Sequence, residues 1–247
     1  MLRTGLVLGL LAVVGPFAID MYLPALPRIA EDFGTTETAV QMTLTGFFLT
    51  FGLAQLAYGP LADQTGRRLP LVFGLLIFIA GSVGAAMAGS VEALVAWRAV
   101  QGLGGAAFMV IPRAVVRDMY TGNEATRLMA TIMLVISVSP MLAPLVVSGV
   151  LAVANWRGIF VVLACLGCAS LAVLLLAQRE TLPPERRIPV RLGSMARGAR
   201  ILLTDPTFVG LTLVGGFGMA SFFVFIASAP FVYVETFGLT PTGFSLA

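Results

Sequence analysis

Asp20 and Arg98 each interrupt a long apolar run, the first in Gly15-Pro-Phe-Ala-Ile-Asp20-Met-Tyr-Leu-Pro24, the second in Ala93-Leu-Val-Ala-Trp-Arg98-Ala-Val. An ionisable side chain in such surroundings is costly and marks a pairing or a pathway by default. Two chemistries are open. The two charges can form an ion pair that holds two helices together. Alternatively, Asp20 is a carboxylate whose protonation changes during a transport cycle, with Arg98 tuning or gating it. The chain has no histidine, so no imidazole relay competes with Asp20 for the role of proton carrier.

The absences narrow the chemistry further. Without histidine there is no Ser/His/Asp or Cys/His triad and no HExxH metal site. All 15 positive side chains are arginine, which removes a lysine-dependent phosphate loop and Schiff-base catalysis. Nothing assembles a nucleophile with a base, so the sequence does not read as an enzyme. Cys165 and Cys168 form a C-x-x-C inside Val-Val-Leu-Ala-Cys-Leu-Gly-Cys-Ala-Ser-Leu. They read as small residues packing helices in lipid rather than as a redox or metal pair. Gly102-Leu-Gly104-Gly-Ala-Ala107 matches a dinucleotide fingerprint, but no strand precedes it and no βαβ unit surrounds it. No cofactor, metal or nucleic acid is expected.

The elements that must position Asp20 and Arg98 follow from composition. Of 247 residues 58% are apolar and 11% charged, with a net charge of +3. The charged share is under half of the roughly 25% usual in soluble domains, and a soluble fold of this size could not bury so much apolar surface. The solvent is lipid. Runs of about 20 apolar residues span a bilayer as helices. Seven qualify, at 5–26, 40–61, 70–90, 92–112, 128–153, 157–178 and 207–233. With the N-terminus in the cytoplasm, 12 of the 15 arginines fall inside, two (Arg28 and Arg157) outside, and Arg98 within a span. That bias is the positive-inside rule. The predicted organisation is a six-span bundle over 1–178, a basic cytoplasmic linker over 179–205 and a seventh span over 206–247. A short amphipathic helix on the inner leaflet is expected near 192–203.

Helix breakers cluster near Asp20 and in the fifth span. The first span carries Pro16, Pro24 and Pro27; the fifth carries Pro140, Ala143 and Pro144. A proline frees the carbonyl four residues earlier, and such backbone is tolerated where it lines a cavity or is buried in protein. The first and fifth spans are therefore expected to flank a polar cavity. The fourth span carries Gly102, Gly104, Gly105, Ala106 and Ala107, small residues that allow close helix approach.

Four blocks resemble the major facilitator superfamily, and specifically its bicyclomycin/chloramphenicol-resistance (Bcr/CflA) type of drug:proton antiporter. Gly59-Pro-Leu-Ala-Asp63-Gln-Thr-Gly66-Arg67-Arg68 resembles the superfamily's loop between spans two and three, and Arg98-Ala-Val-Gln101-Gly102 its span-four motif. Asp20-Met-Tyr-Leu-Pro24-Ala-Leu-Pro27 and Glu180-Thr-Leu-Pro-Pro-Glu-Arg-Arg187 are similar to subfamily signatures. The fifth span departs from the pattern: Ala143-Pro144-Leu145 is followed by Val-Val-Ser-Gly149 where the subfamily has x-Gly-Gly.

The resemblance implies an all-α fold, a six-helix bundle built as a three-plus-three inverted repeat, joined here to a seventh helix of an incomplete second bundle. It implies proton-coupled efflux of small amphipathic molecules across a bacterial inner membrane, by a monomer when full length. Asp20 and Arg98 would handle the proton. Asp63, Gly66, Arg67 and Arg68, with Gly59 and with Asp118 in reach of both arginines, would form a charge latch for one alternating-access state; the bland alternative is a purely topogenic loop. Phe17, Tyr22, Phe108, Met109 and Met141 are candidates for an adaptable cavity wall. The motifs do not separate drug efflux from export of a sugar or amino acid, nor from a non-transporting membrane fragment.

Overall fold

The computed structural model describes residues 2–190 and 192–235. The elements are α1 (Leu2–Asp20), a 3-10 turn (Leu23–Ala25), α2 (Leu26–Phe33), α3 (Glu37–Thr65), α4 (Arg68–Ala86), α5 (Val91–Met119), α6 (Gly122–Val153), α7 (Arg157–Ala177), a second 3-10 turn (Pro184–Arg186), α8 (Leu192–Thr204) and α9 (Pro206–Glu235). Seven helical segments among the described residues are long and apolar enough to cross a membrane, as expected. The first runs further than expected, to Phe33. Asp20 is therefore deeper in its span than the sequence suggested.

Turn chemistry sets the ends. Thr36 Oγ1 accepts the Ala39 amide at 3.3 Å and Ser90 Oγ the Ala93 amide at 3.2 Å, capping α3 and α5. Gly34 closes α2 in the left-handed conformation, with φ 59°. Both fifth-span prolines, Pro140 and Pro144, sit inside a continuous α6. Among the described residues the break lies in the first span, between α1 and α2.

The neighbour relations repeat. α3 and α4 both pack on α5; α6 and α7 both pack on α1; α4 packs on α7, and α1 on α5. Exchanging the α1/α2 span with α5, α3 with α6 and α4 with α7 maps this pattern onto itself, as a three-plus-three inverted repeat requires. The small residues of α5 make its central place possible. A side chain at Gly102 would meet the Phe47 carbonyl and Thr50 of α3; one at Gly104 would meet the Phe78 amide and the Gly74 carbonyl of α4.

The linker folds back on the bundle, since the Ile188 amide donates to the Asp63 carbonyl at 3.0 Å. α8 follows, with Met195, Leu202 and Leu203 exposed beside Arg197 and Arg200. Asp205 Oδ1 accepts the Thr207 amide at 2.8 Å and so caps α9. α9 leans on the bundle through Phe223, whose ring lies 4.7 Å from that of Phe48. Residues 236–247, which complete the expected 206–247 unit, lie outside the described residues. Cys165 and Cys168 are both exposed on α7, so they do not pack helices together within the bundle.

Candidate functional site

The break after Asp20 is the first feature of the site. Pro24 has no amide for the Asp20 carbonyl, and the Tyr22 amide turns to Ile19 O at 3.1 Å instead of the helical partner Ala18. The Ala18 carbonyl is thereby left open at a helix C-terminus, where partial negative charge gathers. Arg98 fills it: Nη1 donates to Ala18 O at 3.1 Å. The same nitrogen donates to Gln101 Oε1, Gln101 Nε2 donates to Ser82 Oγ at 2.7 Å, and Ser82 Oγ donates to Phe78 O at 2.8 Å. This chain runs from α1 through α5 to α4, and Arg98, Gln101 and Ser82 are fully buried.

Three rings surround the Arg98 guanidinium: Phe47 at 4.3 Å, Tyr22 at 4.4 Å and Phe160 at 5.9 Å. Desolvated cation–π contacts of this kind are worth about 2 kcal/mol or more. Tyr22 is fixed in turn. Thr43 Oγ1 donates to Val40 O, so the hydroxyl hydrogen at 2.7 Å comes from Tyr22 to Thr43.

Of the two chemistries left open by the sequence, the ion pair between Asp20 and Arg98 does not form. Among the described residues Asp20 has no cation within 4.0 Å; its Oδ2 accepts from Ser139 Oγ of α6 at 3.1 Å. The physical reason is competition. The carbonyl freed by the break lies two residues before the carboxylate, and burial together with aromatic stacking favours the arginine there. Arg98 thus holds the carbonyl at the break, and Asp20, half-buried, joins α1 to α6.

The other candidates divide. Ala143 is fully buried on α6 while Pro140 is exposed and Pro144 half-buried. Gly102 is buried against α3. Of the expected cavity wall, Tyr22 belongs to the arginine cage and Phe108 is core, edge-on to Phe78 at 5.7 Å, which corrects both assignments. Phe17 and Met109 are half-buried, and Met141 is 72% exposed.

The loop motif forms a compact ionic cluster at the arginine-rich end of the bundle. Arg67 donates through Nε to Asp118 Oδ2 at 2.7 Å, through Nη2 to Asp118 Oδ1 at 3.3 Å and through Nη1 to Asp63 Oδ1 at 2.6 Å. Arg68 does not reach Asp118; its Nη2 donates to Leu175 O at 2.8 Å, near the end of α7, so only Arg67 makes the expected pair. Gly59 lies within α3, and a side chain added there would meet open space rather than the cluster. Gly66 has φ 96°, and a side chain there would strike the Glu180 carboxylate.

Glu180 joins this cluster, although nothing in the sequence singled it out beside Asp63 and Arg67. Its Oε1 accepts the Arg67 amide at 2.8 Å and its own neighbours Thr181 and Leu182 at 2.9 Å; its Oε2 accepts the Arg68 amide at 3.1 Å. It caps α4 from 112 residues away, where the local cap position, Arg67, supplies no side-chain capping bond to the helix. Partial burial opposes the charge, but the amides of Leu182, Arg67, Arg68 and Thr181 outweigh it and hold the carboxyl below its ordinary value of 4.5. A depressed carboxyl contributes stability above its unfolded pKa and loses it as pH falls through the folded one. Glu180→Gln is expected to cost about 1 kcal/mol at neutral pH, a cap's worth with solvent screening allowed for. The difference in melting temperature between Glu180→Gln and the parent should shrink between pH 5 and pH 3, roughly the carboxylate titration range. A difference independent of pH would show that the charge does not matter.

A second cluster sits at the opposite end of the bundle, around Arg157. Arg157 Nη1 donates to Asp32 Oδ2 at 2.8 Å and Nη2 to Ala88 O at 3.2 Å; Trp156 Nε1 donates to the same Asp32 oxygen at 2.9 Å. The Arg157 guanidinium lies 4.2 Å over the Trp156 ring, and Phe33 packs on Trp156 at 5.4 Å. One sequence signal could have exposed this cluster. Arg157 stands eight residues after Gly149, as Arg67 stands eight after Gly59.

Comparison with known proteins places the whole chain. A model of the Major Facilitator Superfamily matches residues 8–247. An uncharacterised MFS-type transporter of Bacillus subtilis, YdgK, is 37% identical over 99% of this chain and 61% of its own length. A chloramphenicol resistance protein of Pseudomonas aeruginosa is 34% identical over 98% and 57%, and a bicyclomycin resistance protein homolog of Haemophilus influenzae 32% over 95% and 59%. The chain thus spans roughly three-fifths of the length of these relatives. Among solved structures, the human organic anion transporter MFSD10 superposes with a TM-score of 0.74 at 18% identity, covering 99% of this chain and 68% of that one. An inward-facing bacterial homolog of the lysosomal transporter Spinster gives 0.77 at 17%, covering 98% and 57%. These two share its fold. From the seven apolar helices, the repeat in their packing and the matched family model together, this multi-pass membrane chain belongs to the major facilitator superfamily.

Proposed function

We propose that this chain is the proton-handling part of a drug:proton antiporter of the bacterial inner membrane, working by alternating access on small amphipathic substrates. The observation that carries the reading is Asp20: a carboxylate beside the break in the first span, held by the Ser139 hydroxyl and, among the described residues, without a cation partner. A carboxylate in that position can gain and lose a proton without breaking an ion pair. The relatives named for resistance to bicyclomycin and chloramphenicol supply the substrate class. In this reading residues 1–178 are the proton-handling bundle, 179–205 a cytoplasmic linker and 206–247 the start of a second bundle, and the full-length protein is a monomer. The arginine-rich end, with the latch of Asp63, Arg67, Asp118 and Glu180, faces the cytoplasm. α8 then lies at the inner leaflet, its Met195, Leu202 and Leu203 stripe toward acyl chains and Arg197 and Arg200 toward headgroups.

The reading is tested with the full-length protein in proteoliposomes loaded at acid pH with a pH-sensitive dye. External chloramphenicol should dissipate the proton gradient several-fold faster than in protein-free vesicles. Equal rates with and without protein, across a panel of amphipathic drugs, would overturn it.

A further inference from the structure

The latch and the opposite cluster are the same construction turned over. In the inverted repeat α4 corresponds to α7 and the α1/α2 span to α5. Arg67, just ahead of α4, pairs with Asp118 near the end of α5; Arg157, the first residue of α7, pairs with Asp32 near the end of α2. Arg68 also donates to Leu175 O near the end of α7; Arg157 also donates to Ala88 O just past the end of α4. In both places arginine at a helix start, the adjacent Arg67 and Arg68 at α4 and Arg157 alone at α7, ties down the carboxyl-terminal ends of two neighbours.

These charges are misplaced with respect to their own helices. Asp32 and Asp118 lie in last turns, where the partial charge is negative, and Arg157 and Arg68 lie in first turns, where it is positive. Local helix stability would favour the opposite signs. Their placement makes sense only across the bundle, where the guanidinium meets a carboxylate and a helix-end carbonyl together. Trp156, itself buried, completes the outer pairing by donating to the same carboxylate and flooring the guanidinium.

The cluster acts on a particular target. α2 has eight residues, too few to hold a helical position unaided. It is tied at one end to the break beside Asp20 and at the other, through Asp32 and Phe33, to Trp156 and Arg157. We infer that Asp32, Trp156 and Arg157 form a clasp that positions α2, and through it the hinge carrying Asp20. These are positioning residues, and the consequence for Asp20 rests on the proton-coupling reading above.

The test uses the full-length protein in lipid nanodiscs, with hydrogen exchange followed by mass spectrometry. Asp32→Asn, Arg157→Gln and Trp156→Phe should each raise exchange about tenfold in peptides covering residues 21–33, with α3, α5 and α6 unchanged. The Asp32→Asn/Arg157→Gln double variant should match the singles, because one interaction is lost once. Asp32→Glu, which keeps the charge and the acceptors, should restore most of the protection. Unchanged exchange at 21–33, a rise spread over all helices, or additive effects in the double variant would each overturn the clasp. Proton-release assays on the same variants separate the two readings. Intact antiport in Asp20→Asn would sink the proton role and leave the exchange result standing.

Discussion

Asp20→Asn is expected to reduce drug-driven proton release at least roughly a hundredfold, the scale on which removing a sole proton-transfer group acts. The substitution preserves shape, and the amide oxygen can still accept from Ser139, so α1 and α6 stay joined. The lost property is the proton. Melting should be unchanged or slightly improved, because a half-buried carboxylate with no cation costs more to hold in place than a neutral amide. Passive, drug-only exchange should survive. Asp20→Glu tests geometry against chemistry: the carboxylate returns about one methylene displaced, and partial coupling should return with it. A variant Asp20→Asn that releases protons at the parent rate would remove Asp20 from the mechanism.

Gly104→Val should produce the largest loss of stability. Its added carbons would fall on the Phe78 backbone amide and the Gly74 carbonyl of α4, main-chain atoms that cannot rotate aside. Overpacking of a close contact costs about 1–3 kcal/mol, and more when backbone must move. For a chain of this size, a loss near 3 kcal/mol lowers the melting temperature by roughly 10 °C. Displacing α4 would also pull Ser82 from Gln101 and unsettle the arginine cage. Gly105→Ala is the control: its new atom would lie 3.5 Å from the Phe51 ring, an ordinary contact. Equal melting for Gly104→Val and Gly105→Ala would show that α4 and α5 tolerate separation.

The seven spans were legible because a bilayer imposes length and hydropathy on every crossing segment. The Arg67–Asp118 pair was legible because loop motif and helix end lie on one face by topology alone. What the sequence hid were the choices between partners. Arg98 prefers a freed carbonyl to a carboxylate two residues away, and that depends on where α1 breaks. Pro24 hinted at the break without locating it. Glu180 reaches α4 from 112 residues along the chain, and Arg157 reaches Asp32 from 125. Each of those residues, read alone, is an ordinary loop charge. Tyr22 and Phe108 failed as cavity residues because aromatic type does not distinguish lining a space from filling one.

The clasp has an optical consequence. The sequence contains two tryptophans, and Trp156 is one of them. It is 2% exposed, with its indole N–H on a carboxylate and a guanidinium over its ring. Trp97, on α5 against Gly84 of α4, is 39% exposed. Replacing Trp97 by Phe in these residues leaves a single emitter whose colour and quenching depend on Asp32 and Arg157. That end of the bundle would then report its own opening as a fluorescence signal, with no label attached.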